Sequence, residues 1–462
     1  MKKIIYTLFT IALLAGVLSS CSKEALDPTL AQAKAVEGNM GTVEDVQGIL
    51  YGAYNSLTSS GYYGRDFIIW GEVRSDNCYS NGNSGRFVGD AKMNYTSNFG
   101  GHWAQAYSTI AIANILTGLD TDEIEGDADQ LEHYIGQAYA IRALGHYDLL
   151  IYYGQMHTGG TLGIPYIKEY KGEDLAPARD TWQNNVTDIF SDIETAISMM
   201  DPSLDDDSKE LFTHYGAHAL KARVGTYFGD WDKVIAGCET IINSGNYDII
   251  PGDQFAESFL VDGAANSIFE LAFSSVDNAN INGLQYIYRG SSYGDISPLE
   301  DLVLEFDAGD VRATPEMIGP DPDLPADRPY TNLGKYPSLD YSDNVPVLRY
   351  EEIILSYAEA LWRNNASDPD ALTYLNMVPA ERNASAYGAV TEDNILRERR
   401  LEFCFEGMRF HDLARTGSDI PLVDEFNQTH EGPAYGSYKF AFPIPLGEMD
   451  ANPNMVQNDG YL

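Results

Sequence analysis

The chain has 462 residues, a formal net charge of −40 and a hydrophobic content of 44%. A surface with 69 acidic against 29 basic residues repels phosphate backbones and anionic lipid head groups, which argues against nucleic-acid binding. The hydrophobic content is typical of a globular protein, and this length can bury the core of one large domain or of two to three ordinary ones.

The N-terminus has the pattern of a secretory signal. Two lysines precede an apolar stretch over residues 4–17 that is too short to span a membrane comfortably, and Leu18-Ser19-Ser20-Cys21 follows it. This ending resembles a bacterial lipobox. We therefore expect a signal peptide over residues 1–20, a lipid on Cys21 that anchors the chain in a membrane, and a polar tether over residues 21–40. Removal of the signal peptide leaves 27 basic and 69 acidic residues, a net charge of −42.

Helical periodicity dominates residues 41–60, 101–245 and 347–416. In "TVEDVQGILYGAYNSL", Thr42 is expected to cap a helix whose apolar residues recur on one face. The segment "THYGAHALKARVGTYFGDWDKVIAGCETIIN" reads as two helices that break at Gly229-Asp230, with small and large apolar positions alternating. Such helix pairs are similar to tetratricopeptide units. We predict a mainly α fold with a tetratricopeptide-like helical-repeat scaffold.

Two long irregular segments interrupt the helices. Residues 61–100 are rich in Gly, Asn, Ser and aromatic residues, with one short predicted strand over residues 67–70. Residues 246–346 contain the strand-like runs "SIFELAFSS" and "LQYIYRG", and residues 417–462 form a tail of loop and short strand. Loops of this length within a compact chain are usually functional, so we expect the ligand site in these two excursions.

The sequence offers no convincing catalytic or metal motif. His214 and His218 are four residues apart, but no HExxH surrounds them, so helix histidines without a metal are favoured. Cys78, Cys238 and Cys404 form no CxxC, and there is neither a P-loop nor a GxSxG motif. Two carboxylates at a glycosidase spacing are expected by chance among so many acids. We predict neither catalytic residues nor a cofactor, and Ca²⁺ binding by the carboxylates stays open.

Sugar binding requires flat aromatic faces with hydrogen-bonding side chains beside them. Both excursions supply such residues within short stretches. The predicted glycan-binding residues of the first excursion are Trp70, Asp76, Asn77, Tyr79, Arg86 and Tyr95. Those of the second are Tyr286, Tyr288 and Tyr341, with Tyr293 and Tyr336 as further rings.

Six segments follow one another in a specific order behind the lipobox. They are "AIRALGHYDLLIYYGQ…GIPY", "PARDTW", "THYGAHALKARV", "PVLRYEEIILSYAEAL", "ILRERRLEFCFEGMRFHDLART" and "FPIPLGEMDANPNMVQNDGY". With these segments the chain resembles the SusD/RagB family of Bacteroidetes outer-membrane lipoproteins, which bind nutrients at the cell surface. The likeness extends over nearly the whole chain, so we expect residues 41–462 to form one SusD-like domain.

The resemblance implies a non-catalytic lipoprotein on the outer face of the outer membrane. It would bind an oligosaccharide or polysaccharide and deliver it to a SusC-like TonB-dependent transporter. Family binding sites include an acid and an arginine in the first excursion, for which Asp76 and Arg86 are the nearest counterparts. Some relatives bind peptides, so a peptide ligand is an alternative, and a surface glycoside hydrolase is a further one.

The segment Ile395–Thr416 is the densest cluster of ionisable side chains in the chain. Considered as one helix, it has two nearly opposite apolar faces with charged residues between them. We therefore expect it to lie between other helices with its charges paired, because an isolated buried ion costs several kcal/mol. The predicted partners are Arg399 with Glu402 and Glu406 with Arg409, three residues apart, together with Arg349 and Glu352 of the preceding helix.

Overall fold

The computed structural model describes residues 40–96, 99, 101–171, 176–322, 324 and 328–461. The predicted signal peptide, Cys21 and all but the last residue of the predicted tether lie outside the described residues. In the part of the chain that is described, no helix is both long and apolar enough to cross a membrane.

Helices make up most of the regular structure, as predicted. The helices are α1 Val43–Leu57, α2 Asp66–Val73, α3 Val88–Ala91, α4 Gly101–Thr117, α5 Ala128–Tyr153, α6 Trp182–Met199, α7 His214–Phe228, α8 Trp231–Ser244, α9 Phe255–Ser258, α10 Leu284–Arg289, α11 Glu300–Leu304, α12 Tyr350–Asn364, α13 Pro369–Leu375, α14 Met377–Glu381, α15 Glu392–Phe403, α16 Arg409–Arg415 and α17 Leu446–Ala451. The strands are β1 Cys78–Ser80, β2 Ser267–Leu271, β3 Ile296–Pro298, β4 Ile318–Gly319, β5 Thr331–Asn332 and β6 Val345–Arg349.

The long helices pack mainly against their neighbours along the chain. Contacts join α4 to α5, α5 to α6, α7 to α8 and α12 to α13, and α1 packs on α4. Small residues allow the close approach, as at Gly237 of α8, where a Cβ would lie 2.7 Å from the carbonyl oxygen of His218 in α7. The predicted helical scaffold is confirmed.

Two predicted helix ends are also confirmed. The Thr42 side chain accepts a hydrogen bond from the Asp45 backbone, and the Asp45 side chain accepts from the Thr42 backbone, which completes a capping box. Between α7 and α8, Gly229 ends the first helix at a φ of 75°, a left-handed conformation that glycine adopts without steric cost. Asp230 then caps the second helix through the backbone N–H of Lys233.

The excursions contain more helix than the sequence predicted. Residues 67–70, predicted as a strand, lie in α2, and the predicted strand "LQYIYRG" forms α10. Both runs are short and apolar, and such runs do not distinguish a buried strand from a buried helix by periodicity. The prediction for "SIFELAFSS" is confirmed, because β2 pairs with β6 in an antiparallel sheet.

In the described part of the chain, three two-stranded antiparallel sheets stabilise the irregular segments. One joins β4 to β5. Another joins β1 of the first excursion to β3 of the second, with Tyr79 opposite Ser297 and Ser80 opposite Ile296. This pairing brings the two excursions together although more than 200 residues separate them in the sequence.

The charged segment 395–416 forms two helices, so its prediction as one helix is wrong. The break lies between α15 and α16, where Phe405 and Gly407 have φ values of 71° and 81°. The predicted pairs three residues apart are replaced by pairs across this break or with other segments. Arg399 binds Asp412, and Arg409 binds Asp76.

The prediction that these charges are buried and paired is correct. Glu402 is fully buried and accepts hydrogen bonds from Arg312, Arg349 and Arg382. Burial alone would raise the pKa of Glu402, but the three guanidinium groups outweigh it and hold the pKa well below its usual value. The predicted contact of Arg349 with this segment is therefore confirmed.

Arg349, predicted on the preceding helix, is the last residue of β6, and the other predicted partner, Glu352 of α12, binds elsewhere. Glu352 forms its ion pair with Arg223 of α7 and thereby joins α12 to the scaffold.

Candidate functional site

The β1–β3 sheet fixes the start of the first excursion against residues 293–298 of the second. Asn81 donates hydrogen bonds from Nδ2 to the Gly294 carbonyl oxygen at 2.8 Å and to Ser297 Oγ at 2.9 Å. The Nδ2 group of Asn83 donates to the Tyr293 carbonyl oxygen at 2.6 Å. The two loops therefore form one supported surface.

Three partly exposed tyrosines, Tyr286, Tyr293 and Tyr341, form what we call the tyrosine surface. The Tyr286 ring stands edge-on to both others, with centroids 5.1 Å from Tyr293 and 6.1 Å from Tyr341 and interplanar angles of 76°. Edge-to-face packing of this kind is a favourable aromatic geometry that holds the rings in fixed orientations.

The neighbouring backbone is adapted to these rings. A Cβ at Gly290 would lie 2.4 Å from Cγ of Tyr286, so only glycine leaves room for the ring. Tyr341 has a φ of 66°, a left-handed conformation that is uncommon for a tyrosine. Hydrogen bonds from Ser292 and Ser291 lower the pKa of the Tyr286 hydroxyl.

Arg86 belongs to the same surface. Its guanidinium carbon lies 3.6 Å from the centroid of the Tyr293 ring, and Nη1 donates to Ser84 Oγ at 2.9 Å. Tyr79 on β1 is also partly exposed. The structure therefore brings a cation, several hydroxyl groups and three aromatic rings to one face of the protein.

A cleft of about 280 Å³ lies beside this surface on the 338–343 loop. It has two aromatic side chains, Phe259 and Phe273, while serine hydroxyl groups and carboxylates supply the polar lining. The polar lining residues are Asp262, Ser274, Ser275, Ser338, Asp340, Ser342 and Asp343. Burial, with the nearby Asp340 and Asp262 charges, raises the pKa of Asp343. Such a lining suits a hydroxylated ligand, and residue-by-residue reading of the sequence did not identify it.

Five of the nine predicted glycan-binding residues are buried, and this corrects the sequence-based expectation. They are Trp70, Asp76, Asn77, Tyr95 and Tyr288. Trp70 is only 4% exposed, packs edge-on against Phe442 at 5.2 Å and donates from Nε1 to Asp90 at 2.8 Å. Its ring therefore has no free face for a sugar.

The other buried candidates contribute to the interior in different ways. Asp76 accepts two hydrogen bonds from Arg409, at 2.7 and 2.8 Å, and Asn77 accepts one from Arg400. Burial would raise the pKa of Asp76, but Arg409 outweighs it and lowers the pKa. Tyr95 packs against Phe442. Tyr288 stacks on Tyr336, also buried, with centroids 6.4 Å apart.

The described residues contain no group of three or more His, Cys, Asp or Glu arranged to hold a metal ion. His214 and His218 pack against each other with ring centroids 4.8 Å apart, and His214 Nδ1 contacts the Met200 carbonyl oxygen. Cys78, Cys238 and Cys404 are buried free thiols whose pKa values burial raises.

A smaller cavity of about 50 Å³ lies inside the scaffold. Asp148, Arg223 and His411 are among its lining residues. Asp148 and His411 are 0% and 8% exposed, so this space differs from the open cleft beside the tyrosine surface.

Comparison with known proteins identifies two matching family models. The model described as SusD family matches residues 326–461, and the model described as starch-binding associating with outer membrane matches residues 34–225. The SusD-like protein P38 of Formosa agariphila is 24% identical, and the alignment covers 98% of each chain. The starch-binding protein SusD of Bacteroides thetaiotaomicron is 33% identical over 27% of this chain and 22% of its own length. A crystal structure of a SusD superfamily protein from Bacteroides vulgatus superposes with a TM-score of 0.83 at 26% identity, covering 91% of this chain and 99% of that one.

Proposed function

Because this chain belongs to the SusD family, we propose that it binds oligosaccharides or polysaccharides at the tyrosine surface. The SusD family is a family of non-catalytic binding proteins whose characteristic ligands are glycans. One matching family model describes starch binding in association with the outer membrane, and the SusD of Bacteroides thetaiotaomicron is a starch-binding protein.

The observation that carries the proposal is the set of three partly exposed tyrosine rings held edge-to-face beside a polar cleft. The C–H faces of pyranose rings stack on such aromatic faces, while carboxylate, hydroxyl and guanidinium groups hydrogen-bond the sugar hydroxyls. Arg86 and the cleft residues Ser338 and Asp343 offer those groups within reach of the rings.

In the cell, we propose that the protein is anchored by a lipid on Cys21 at the outer face of the outer membrane. It would deliver the bound glycan to a SusC-like TonB-dependent transporter. A surface-anchored binding protein raises the local concentration of the ligand at the transporter, which increases uptake without any chemical step.

Affinity electrophoresis against a panel of polysaccharides tests the binding site. We expect at least one glycan to retard the wild-type protein, and we expect Tyr286→Ala and Tyr341→Ala each to weaken binding about fivefold or more. The expected fivefold loss of affinity corresponds to about 1 kcal/mol of binding free energy for each lost stacking contact. Because both rings are partly exposed, the melting temperature should change little.

Two matched controls separate binding from stability. Tyr51→Ala removes a 46% exposed tyrosine of α1, outside the tyrosine surface, and should leave retardation unchanged. Trp70→Ala removes a core ring and should lower the melting temperature strongly. Retardation by no glycan, or binding of peptides alone, would refute the proposed function.

A further inference from the structure

The arginines near the tyrosine surface differ from those elsewhere in the chain. In a protein with 69 acidic and 29 basic residues, an exposed guanidinium readily finds a carboxylate. Arg86 and Arg328 are the described arginines that are partly exposed and have no carboxylate of a described residue within ion-pair distance. They contact two consecutive residues, Arg86 the ring of Tyr293 and Arg328 the carbonyl oxygen of Gly294.

Most of the donors of these two side chains have no partner in the part of the chain that the structure describes. A guanidinium carries five N–H donors. Arg86 donates one hydrogen bond to Ser84 Oγ, and Arg328 donates one to the Gly294 carbonyl oxygen at 2.8 Å. Asp295, which follows the two contacted residues, is fully buried and accepts hydrogen bonds from the backbone N–H and hydroxyl of Ser84, at 2.7 and 2.6 Å. It therefore supports the loop and pairs with neither arginine.

We propose that the tyrosine surface binds an acidic glycan, whose carboxylate or sulfate ester groups are bound by Arg86 and Arg328. This inference rests on the proposed function and specifies its ligand class. The planar donor fork of arginine matches the oxygens of a carboxylate or a sulfate in a bidentate geometry. Stacking on Tyr293 fixes the plane of the Arg86 fork before the ligand arrives.

The net charge of −40 makes such a local site necessary for a polyanionic ligand. Without it, the surface as a whole repels a polyanion. At about 0.15 M salt the screening length is about 8 Å, so acids beyond that distance contribute little, and the directly contacting arginines have to offset the nearer cleft carboxylates Asp340 and Asp343. Binding should therefore be measured at that salt concentration.

Isothermal titration calorimetry with matched polysaccharide pairs tests the inference. Polygalacturonate is compared with its fully methyl-esterified form for carboxylates, carrageenan with desulfated carrageenan for sulfates, and a panel of other acidic and neutral glycans is added. We expect an acidic glycan to bind at least tenfold tighter than its neutral counterpart. The two pairs distinguish which anionic group is recognised.

Variants of the two arginines make the test specific. Arg86→Met and Arg328→Gln should each weaken binding of the acidic glycan about fivefold or more and leave the melting temperature unchanged. The matched control is Arg65→Gln, since Arg65 is a partly exposed arginine whose charge is already paired with Asp66.

The outcomes separate the two proposals. If neutral glycans bind and acidic ones do not, or if both arginine variants bind as tightly as the wild type, the glycan-binding function stands and the acidic ligand class is overturned. If no glycan binds, the proposed function fails and this inference fails with it.

Discussion

Asp148 is a carboxylate in the interior of the scaffold. It accepts hydrogen bonds from the hydroxyls of Tyr62 and Tyr63 at 2.6 and 2.9 Å, while its Oδ1 atom has no hydrogen-bond partner among the described residues. Burial raises the pKa of Asp148 to about 7, despite these two hydrogen bonds and the charge of Arg223. His411 lines the same cavity, and burial lowers its pKa to about 3, so it is neutral at physiological pH.

This pKa predicts a pH dependence of stability. The folded-state pKa of Asp148 lies above the ordinary value of 3.8, so the folded protein is favoured when this carboxyl is protonated. This contribution to the free energy of unfolding is fully present below about pH 4 and is lost as the pH rises to about 7. Asp148→Asn retains an acceptor for the tyrosine hydroxyls and cannot ionise. Urea unfolding should show that the variant loses less stability than the wild type between pH 5 and pH 8.

Part of the wild-type dependence should survive in the variant, because burial also raises the pKa of Glu72 to about 7. Asp122→Asn, an exposed substitution, is the control and should follow the wild-type curve. Equal pH dependence of the wild type and Asp148→Asn would contradict the expectation.

At the residue scale, the sequence predicted the side-chain types of the proposed sugar site, but it did not predict which of them are exposed. Tyr79, Arg86, Tyr286 and Tyr341 are partly exposed, whereas Trp70 lies in the core. In the sequence, the four partly exposed residues and Trp70 all occur in loop-like segments with similar adjacent residues. Whether a ring in such a segment is exposed depends on which distant segment covers it, as Phe442 covers Trp70 from 372 positions away, and no local pattern records this.

At the scale of elements, α2 packs directly against the break between α15 and α16, so the position of each constrains the other. The two segments approach so closely that a Cβ at Gly71 would lie 1.9 Å from the Gly407 carbonyl oxygen. In addition, the Gly407 backbone N–H donates to the buried Glu72 side chain at 2.7 Å. The charged segment therefore bends where the first excursion packs against it.

Gly71→Ala should destabilise the protein by about 2 kcal/mol or more, because the obstructing atoms belong to the backbone and cannot rotate away. Gly52→Ala is the matched control, since Gly52 is an exposed helical glycine with nothing within 4 Å of an added Cβ. This control should raise stability by about 0.5–1 kcal/mol. Similar unfolding midpoints for both variants in urea would be inconsistent with the close approach.

Element type was predictable for long segments and unreliable for short ones. The long helices and the cap at Thr42 follow from periodicity and from local hydrogen-bonding chemistry. Residues 67–70 and 284–289 formed helices where strands were predicted, because these runs are too short for periodicity to decide. The break at Phe405–Gly407 was missed because apolar and charged residues continue through it without proline.

At the scale of the whole molecule, the proposed lipid anchor and the binding domain have separate roles. Cys21→Ser should abolish incorporation of labelled palmitate and release the protein from the outer-membrane fraction. Without the thiol of Cys21 the protein carries no acyl chains that could hold it in the membrane. Membrane fractionation and metabolic labelling measure this directly. Glycan binding by the purified variant should be unchanged.

Ser22→Ala, next to the modified position, is the control and should leave labelling and membrane association intact. Membrane association of Cys21→Ser equal to that of the wild type would rule out the lipid anchor.

If the protein works with a transporter as proposed, the SusC-like protein should co-purify with the wild type from detergent-solubilised membranes.

The sequence by itself determined the mainly α class, the helix start at Thr42, the helix break at Gly229-Asp230 and the burial of a paired charged segment. These features depend on periodicity, on capping side chains and on the cost of burying an unpaired ion, all of which are local or compositional. Only the tertiary structure decided which arginine pairs with which acid, which aromatic rings stay exposed and how β1 and β3 join the two excursions. Those outcomes depend on contacts between segments far apart in the chain, and the positions of such segments are set by packing of the whole molecule.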